Sequence, residues 1–76
     1  MRSMADNVYA MTELVGTSET SIDDAIRGAV KRASKTLKNL DWFEMTGVRG
    51  HIVDGEVQHF QVAIKIGFRH EGGLND

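Results

Sequence analysis

The stretch HIVDGEVQHFQVAIKIGFR, residues 51–69, decides the fold of this chain. Asp54-Gly55 is a strong signal for a two-residue hairpin turn, because both central positions of that turn take positive φ angles. The run that follows, from Glu56 to Arg69, alternates apolar and polar residues with a period of two. That alternation predicts a strand with one face on the core. The predicted core-facing residues are Phe60, Val62, Ile64, Ile66 and Phe68.

The other arm of the hairpin lies upstream, from Trp42 to Val53, where aromatic and β-branched residues predict a strand. Its apolar phase includes Phe43 and Met45 and then moves to Val48, a slip of one residue near Thr46-Gly47. We therefore predict a β-bulge at Gly47.

A helix precedes this hairpin. Ser21 is the predicted N-cap, since its hydroxyl can accept the free amide of Asp24, and acidic residues in the first turn suit the helix dipole. The helix is predicted to run to about Asn39, a residue suited to a left-handed terminus. Its apolar residues recur at three- and four-residue steps: Ile22, Ala25, Ile26, Ala29, Val30, Ala33, Leu37 and Leu40.

The chain opens with another predicted strand, Val8 to Val15, which ends at the polar cluster Gly16-Thr17-Ser18. The element order β-α-β-β, with the third strand central, predicts an α+β fold: a three-stranded antiparallel sheet in the order 1-3-2 with one helix. We expect residues 7–71 to form a single domain. Residues 1–6 are expected to be disordered or expression-derived, and residues 72–76 to be a frayed tail.

Length and composition indicate an oligomer. A chain of 76 residues without cysteine buries a small core and has no disulfide to support it. A helix of about 18 residues is about 27 Å long, whereas a strand of about 12 residues reaches about 40 Å. The helix would leave Tyr9, Trp42, Phe43 and Phe68 uncovered. Partner subunits in a closed, symmetric assembly are the expected cover.

Several functional classes are not indicated. The net charge is −2 with basic residues spread among acidic ones, which is not typical of a nucleic-acid binder. No apolar run approaches the roughly 20 residues of a membrane span, and no secretory signal is apparent, so we expect a cytoplasmic protein. No catalytic constellation is found, and the spacing of His51, His59 and His70 does not compel a metal site.

Five short segments resemble the dodecins of the bacterial type over Val8 to about Glu71. They are Glu13-Leu14-Val15-Gly16-Thr17-Ser18, Leu40-Asp41-Trp42-Phe43-Glu44, Val48-Arg49-Gly50, Gln61-Val62 and Gly67-Phe68-Arg69. The resemblance implies a hollow homododecamer of cubic symmetry, in which each subunit wraps its sheet around one helix. The number twelve comes from the resemblance, since the residues themselves indicate only a closed oligomer.

The resemblance also implies a binding protein without catalytic residues. Dodecins stack flavins in pairs between tryptophans of symmetry-related subunits, and the matching residue is Trp42. Gln61 matches the glutamine that meets the pyrimidine edge of the flavin, and Val48, Arg49 and Gly50 match a segment lining the same pocket. Without the resemblance, Trp42 would be a core or interface residue and Gln61 an ordinary solvent-facing strand residue.

The expected ligand is riboflavin or FMN, held for storage, buffering and photoprotection; FAD, and coenzyme A as a second ligand, stay open. The alternatives are an assembly that mainly binds coenzyme A and a flavin-dependent reductase. The reductase is less favoured because a stacked flavin pair leaves little room for a substrate. Arg49, Lys65 and Arg69 could bind a phosphate tail or form intersubunit salt bridges.

Overall fold

The structure is a computed structural model that describes residues 8–70. Its elements are β1 (Tyr9–Ser18), α1 (Ile22–Ala33), β2 (Leu40–Val53) and β3 (Glu56–Arg69). The strands form one antiparallel sheet in the order β1-β3-β2, so the predicted fold is confirmed. The predictions for residues 1–6 and 72–76 lie outside the described residues.

The hairpin and the bulge are as predicted in outline. Asp54 and Gly55 have φ angles of 53° and 79°, the conformation that a two-residue hairpin turn requires. The register of β2 against β3 shifts between Met45 and Gly47, so the extra residue is Thr46 rather than Gly47. The Thr46 hydroxyl donates to the carbonyl of Ala63 (3.2 Å). Further register shifts between residues 40 and 42 and between residues 51 and 52 were not predicted.

The prediction that β1 ends at Val15 is wrong. The strand continues through Gly16, Thr17 and Ser18, because β3 is long enough to pair with all three residues. Gly16 is therefore not part of a turn, and its role is in packing. A Cβ on Gly16 would collide with the backbone carbonyl of Ala25 in α1, so glycine is what lets the helix approach the strand.

The beginning of α1 is confirmed and its predicted end is wrong. The amide of Asp24 donates to the Ser21 hydroxyl (2.9 Å), as an N-cap requires. The helix stops at Ala33, because the Ser34 hydroxyl bonds back to the Lys31 carbonyl and the next amides form shorter i→i−3 bonds. Asn39 is left-handed (φ 64°), but it stands six residues beyond the helix, directly before β2.

The core is thin and covers only part of the sheet. Small residues of α1 let the helix pack closely on the apolar row of β3, while β2 is exposed along nearly its whole length. The 12-residue helix is about 18 Å long, against about 46 Å for the 14-residue β3. The mismatch is therefore larger than the sequence predicted. The buried core residues are Ala25, Ala29, Ala33, Val62, Ile64 and Ile66.

The helix covers neither the hairpin end of the sheet nor β2. The structure is elongated and measures 59 × 20 × 15 Å. Within residues 8–70, no helix has the length and apolar character to cross a membrane.

Candidate functional site

The sheet has an outer face, opposite α1, that carries most of the predicted site residues. Residues paired directly across antiparallel strands point to the same face. Trp42 is paired with Gly67 and Arg49 with Gln61, and these β3 positions alternate with the buried ones. The outer-face residues of β2 and β3 include Trp42, Glu44, Gly47, Arg49, His51, His59, Gln61, Ala63, Lys65, Gly67 and Arg69.

Trp42 is held in place but remains accessible. Its indole lies over Gly67 so closely that a Cβ there would collide with the six-membered ring. The Tyr9 ring packs against the indole, with ring centroids 5.2 Å apart and planes tilted by 57°. Trp42 nevertheless remains 42% exposed to solvent. A rigid, half-exposed indole is a platform on which a planar ring can stack.

Gln61 lines an open groove farther along the same face. The groove has a volume of about 280 Å³ and is bounded by Val15, Gly47, Val48, Arg49, Gln61 and Ala63. The Nε2 atom of Gln61 lies 3.4 Å from the Nε2 atom of His59. Of the predicted site residues, the structure therefore brings Arg49 and Gln61 together on the outer face. Val48 also bounds the groove, but its register partner is the buried Val62, so its side chain belongs to the core side of the sheet.

Gly50 is placed differently from its neighbour Arg49. It pairs with Phe60, and a Cβ on Gly50 would lie 3.1 Å from the carbonyl oxygen of His59. Gly50 is not among the residues that bound the groove. A direct role for Gly50 in ligand binding stays a prediction.

Trp42 and Gln61 of one subunit are far apart. Their positions on β3, Gly67 and Gln61, are six residues apart in the sequence. This spacing is about 20 Å along a strand. One flavin ring system is too short to stack on Trp42 and reach Gln61 of the same chain. An isoalloxazine ring that contacted both kinds of residue would therefore need Trp42 and Gln61 from two different chains.

The charged residues of the outer face show one internal ion pair. Lys65 Nζ lies 3.8 Å from Glu13 Oε2, and both side chains are largely exposed, so the pair stabilises the fold little. Within residues 8–70, Arg49 and Arg69 form no ion pair. The remaining ion pair, between Arg27 and Asp23, is on the helix; its hydrogen bond raises the pKa of Arg27.

His51 and His59 face each other across the hairpin. Their rings stack with centroids 5.6 Å apart and planes within 23°. Between residues 8 and 70 there is no cluster of three or more histidine, aspartate or glutamate side chains that could hold a metal ion. His70 is at the end of the described chain and takes no part in the groove.

Several residues that shape the site were not predicted from the sequence. Gly67 supports the indole, Tyr9 packs against it, and Val15 and Ala63 form walls of the groove. The alternation of β1 and β3 places Val15 and Ala63 on one face, but only the register of the sheet brings them together across from Gly47.

This small β-α-β-β chain, with a half-exposed indole and an open groove on one sheet face, is similar to known proteins in both sequence and structure. The family model described as Dodecin matches residues 8–71. The curated dodecin of Thermus thermophilus is 50% identical over 64 residues, which span 84% of this chain and 93% of the relative. The chain belongs to the dodecin family.

Solved structures agree with this assignment. The dodecin from Streptomyces coelicolor superposes with a TM-score of 0.87 at 56% identity, covering 92% of this chain and 100% of that one. The dodecin from Streptomyces davaonensis gives a TM-score of 0.82 at 50% identity, covering 87% of this chain and 97% of that one. The fold and the family are thus shown by sequence and structure alike.

Proposed function

We propose that this chain is the subunit of a closed homo-oligomer, a dodecamer by family resemblance, that binds riboflavin or FMN without catalysing a reaction. The bound flavin would be stored, buffered and protected from light. The observation that carries the proposal is the half-exposed indole of Trp42, which Gly67 and Tyr9 hold on the outer face of the sheet.

An uncovered apolar row on β2 supports assembly. Phe43, Met45 and Val48 are paired with the buried residues Ile66, Ile64 and Val62, so they continue the core side of the sheet. Their exposed fractions are 49%, 50% and 44%. A contiguous apolar surface of this kind is typical of a subunit interface. A second subunit packed on this row would complete the core that α1 leaves unfinished.

The separation of Trp42 and Gln61 supports a flavin site shared between subunits. The indole of one subunit would stack on the isoalloxazine ring, and the Gln61 carboxamide of another would meet its pyrimidine edge. A carboxamide can donate and accept hydrogen bonds at once, as that edge requires. The groove beside Gln61 also contains Arg49 and Val48.

The charges of the outer face suit a phosphorylated tail. Arg49 lies beside Gln61, and Arg69 lies near Trp42 at the other end of the face. Guanidinium groups bind phosphate oxygens with two hydrogen bonds. These residues favour FMN as a ligand beside riboflavin, and they leave room for FAD or for coenzyme A as a second ligand.

Stacking against an indole also accounts for a function without turnover. The excited flavin would be quenched by electron transfer from Trp42, and a flavin pair enclosed between two indoles would leave little space for a substrate beside the reactive rings. Storage and photoprotection therefore fit the proposed geometry better than a reductase does.

The test is a titration of riboflavin and FMN with the purified oligomer, followed by flavin fluorescence. We expect strong quenching that saturates near one flavin per subunit, and no oxidation of reduced nicotinamide by the loaded protein. Size-exclusion chromatography checks that the oligomer is intact. An intact oligomer that quenches neither flavin would contradict the proposal, and a parallel titration with coenzyme A would then test the other nucleotide ligand.

A further inference from the structure

Gln61, the proposed contact for the pyrimidine edge of the flavin, is itself in contact with a histidine. Gln61 Nε2 lies 3.4 Å from His59 Nε2, two residues earlier on the same strand and on the same outer face. Both side chains are partly buried, and the His59 ring is also stacked on His51. The His59 ring is therefore fixed by two neighbours.

The chemistry of this contact depends on the proton of His59. When Nε2 of the imidazole carries no proton, it accepts, and the NH₂ group of Gln61 must be the donor. The Gln61 oxygen and its second N–H are then free. These two groups can accept from the N3–H of a flavin and donate to the adjacent carbonyl.

Protonation of His59 reverses this arrangement. The imidazolium has a donor at each nitrogen, so Gln61 must turn its oxygen toward His59. The NH₂ group then faces the ligand. A flavin still finds a donor for its carbonyl, but its N3–H meets another donor, and a buried donor without a partner is costly.

We propose that His59 is a positioning residue that sets which way the Gln61 carboxamide faces, and thereby whether the site accepts the N3–H of a pyrimidine ring. This inference rests on the proposed function, because it requires Gln61 to meet the flavin. It adds a residue outside the five predicted from the sequence, and it makes recognition of the ligand edge depend on a histidine proton.

The groups that face His59 are few. From β2, His51 is its register partner and Arg49 lies beside it, opposite Gln61. From β1, Thr17 stands opposite Gln61, and the strand ends at Ser18. Within the described chain no carboxylate forms an ion pair with His59. Histidine is the side chain that ordinarily changes charge between pH 5 and 8.

The experiment measures riboflavin affinity by fluorescence quenching at pH 7.5 and pH 5.5. Riboflavin is used because the phosphate of FMN titrates in the same range. We expect the unmodified protein to bind riboflavin about tenfold more weakly at pH 5.5, which corresponds to one lost hydrogen bond. His59→Gln keeps an acceptor for Gln61 at every pH. This variant should bind riboflavin with the same affinity at pH 5.5 as at pH 7.5, so its ratio of the two affinities should be close to one.

His51→Gln is the matched control, since it removes the stacked ring but leaves the contact between His59 and Gln61. It should retain the loss of affinity at pH 5.5. The inference is overturned if the unmodified protein binds riboflavin equally at both pH values, if His59→Gln shows the same loss, or if His51→Gln abolishes it. Absence of riboflavin binding at both pH values would instead overturn the proposed function.

Discussion

The six-membered ring of Trp42 lies directly over Gly67, its register partner on β3, where no side chain larger than hydrogen fits. The position of the indole therefore depends on a residue that no ligand needs to touch. Tyr9 packs against the indole from β1, so all three strands contribute to the platform.

Gly67→Ala should disturb the platform. The added Cβ overlaps the indole, so either the ring or the strand must move, at a cost of about 1–3 kcal/mol. We expect a lower melting temperature and weaker riboflavin binding. Gly28→Ala is the control, because an added Cβ there meets no atom within 4 Å and the helix gains about 0.5–1 kcal/mol. If the two variants behave alike, Gly67 does not support the indole.

Trp42→Ala removes the platform itself. Losing aromatic stacking and the burial that accompanies it should weaken riboflavin binding about tenfold or more. Trp42→Phe keeps a smaller ring and should lie between Trp42→Ala and the unmodified protein. Fluorescence titration gives the affinities, and size-exclusion chromatography shows whether the oligomer persists. Unchanged affinity of Trp42→Ala in an intact oligomer would rule out stacking on this residue.

The parts of the fold that could be predicted from the sequence are those that local chemistry decides. Asp54-Gly55 takes the turn that two positive φ angles demand, and the alternation from Glu56 to Arg69 fixes which face of β3 is buried. The N-cap at Ser21 is likewise a local hydrogen bond. Each of these features depends on residues close together in the chain.

The errors occur where one sequence pattern is compatible with two structures. Leu37 keeps the helical spacing and packs on the core, yet the helix has already ended at Ala33. Gly16 has the composition of a turn, but its missing side chain admits the carbonyl of Ala25. A spacing rule does not distinguish an apolar residue of a helix from one in the turn that follows it.

The residues of the candidate site remain a prediction from the resemblance, and their geometry could not be predicted from the sequence. The alternation of side chains along β3 places Gln61 on the outer face. The distance between Gln61 and Trp42 follows only from the register of β2 against β3 across the bulge at Thr46. The contact between Gln61 and His59 has no sequence signal beyond their i, i+2 spacing on a strand. The resemblance suggested the residues, and the register shows that Trp42 and Gln61 of one chain are too far apart for a single flavin ring to reach both.

Ser21→Ala should destabilise the fold through the helix. The substitution leaves the amide of Asp24 without its partner, at a cost of about 1 kcal/mol. Ser34→Ala is the matched change at the other end, where the hydroxyl donates to the Lys31 carbonyl and its removal leaves no backbone amide without a partner. Urea unfolding at one fixed subunit concentration should show a larger shift for Ser21→Ala. An equal or larger shift for Ser34→Ala would contradict the N-cap assignment.

Met45→Glu tests the uncovered row of β2. Met45 lies on the core side of the sheet opposite Ile64, yet half of its surface is exposed, so in the oligomer we expect it to be covered by a partner subunit. A carboxylate in that apolar contact would lose its hydration without gaining a counter-charge, which costs several kcal/mol. Light scattering should therefore detect species smaller than the unmodified oligomer. Riboflavin quenching should decrease when the oligomer dissociates, because Trp42 and Gln61 of one chain are too far apart to share a flavin.

Thr36→Glu is the control for Met45→Glu. It introduces the same charge at an exposed position after the helix and should leave both mass and quenching unchanged. A Met45→Glu protein of full oligomeric mass would show that this row is not the interface, and one that dissociates but still quenches riboflavin would show that a single subunit suffices for binding.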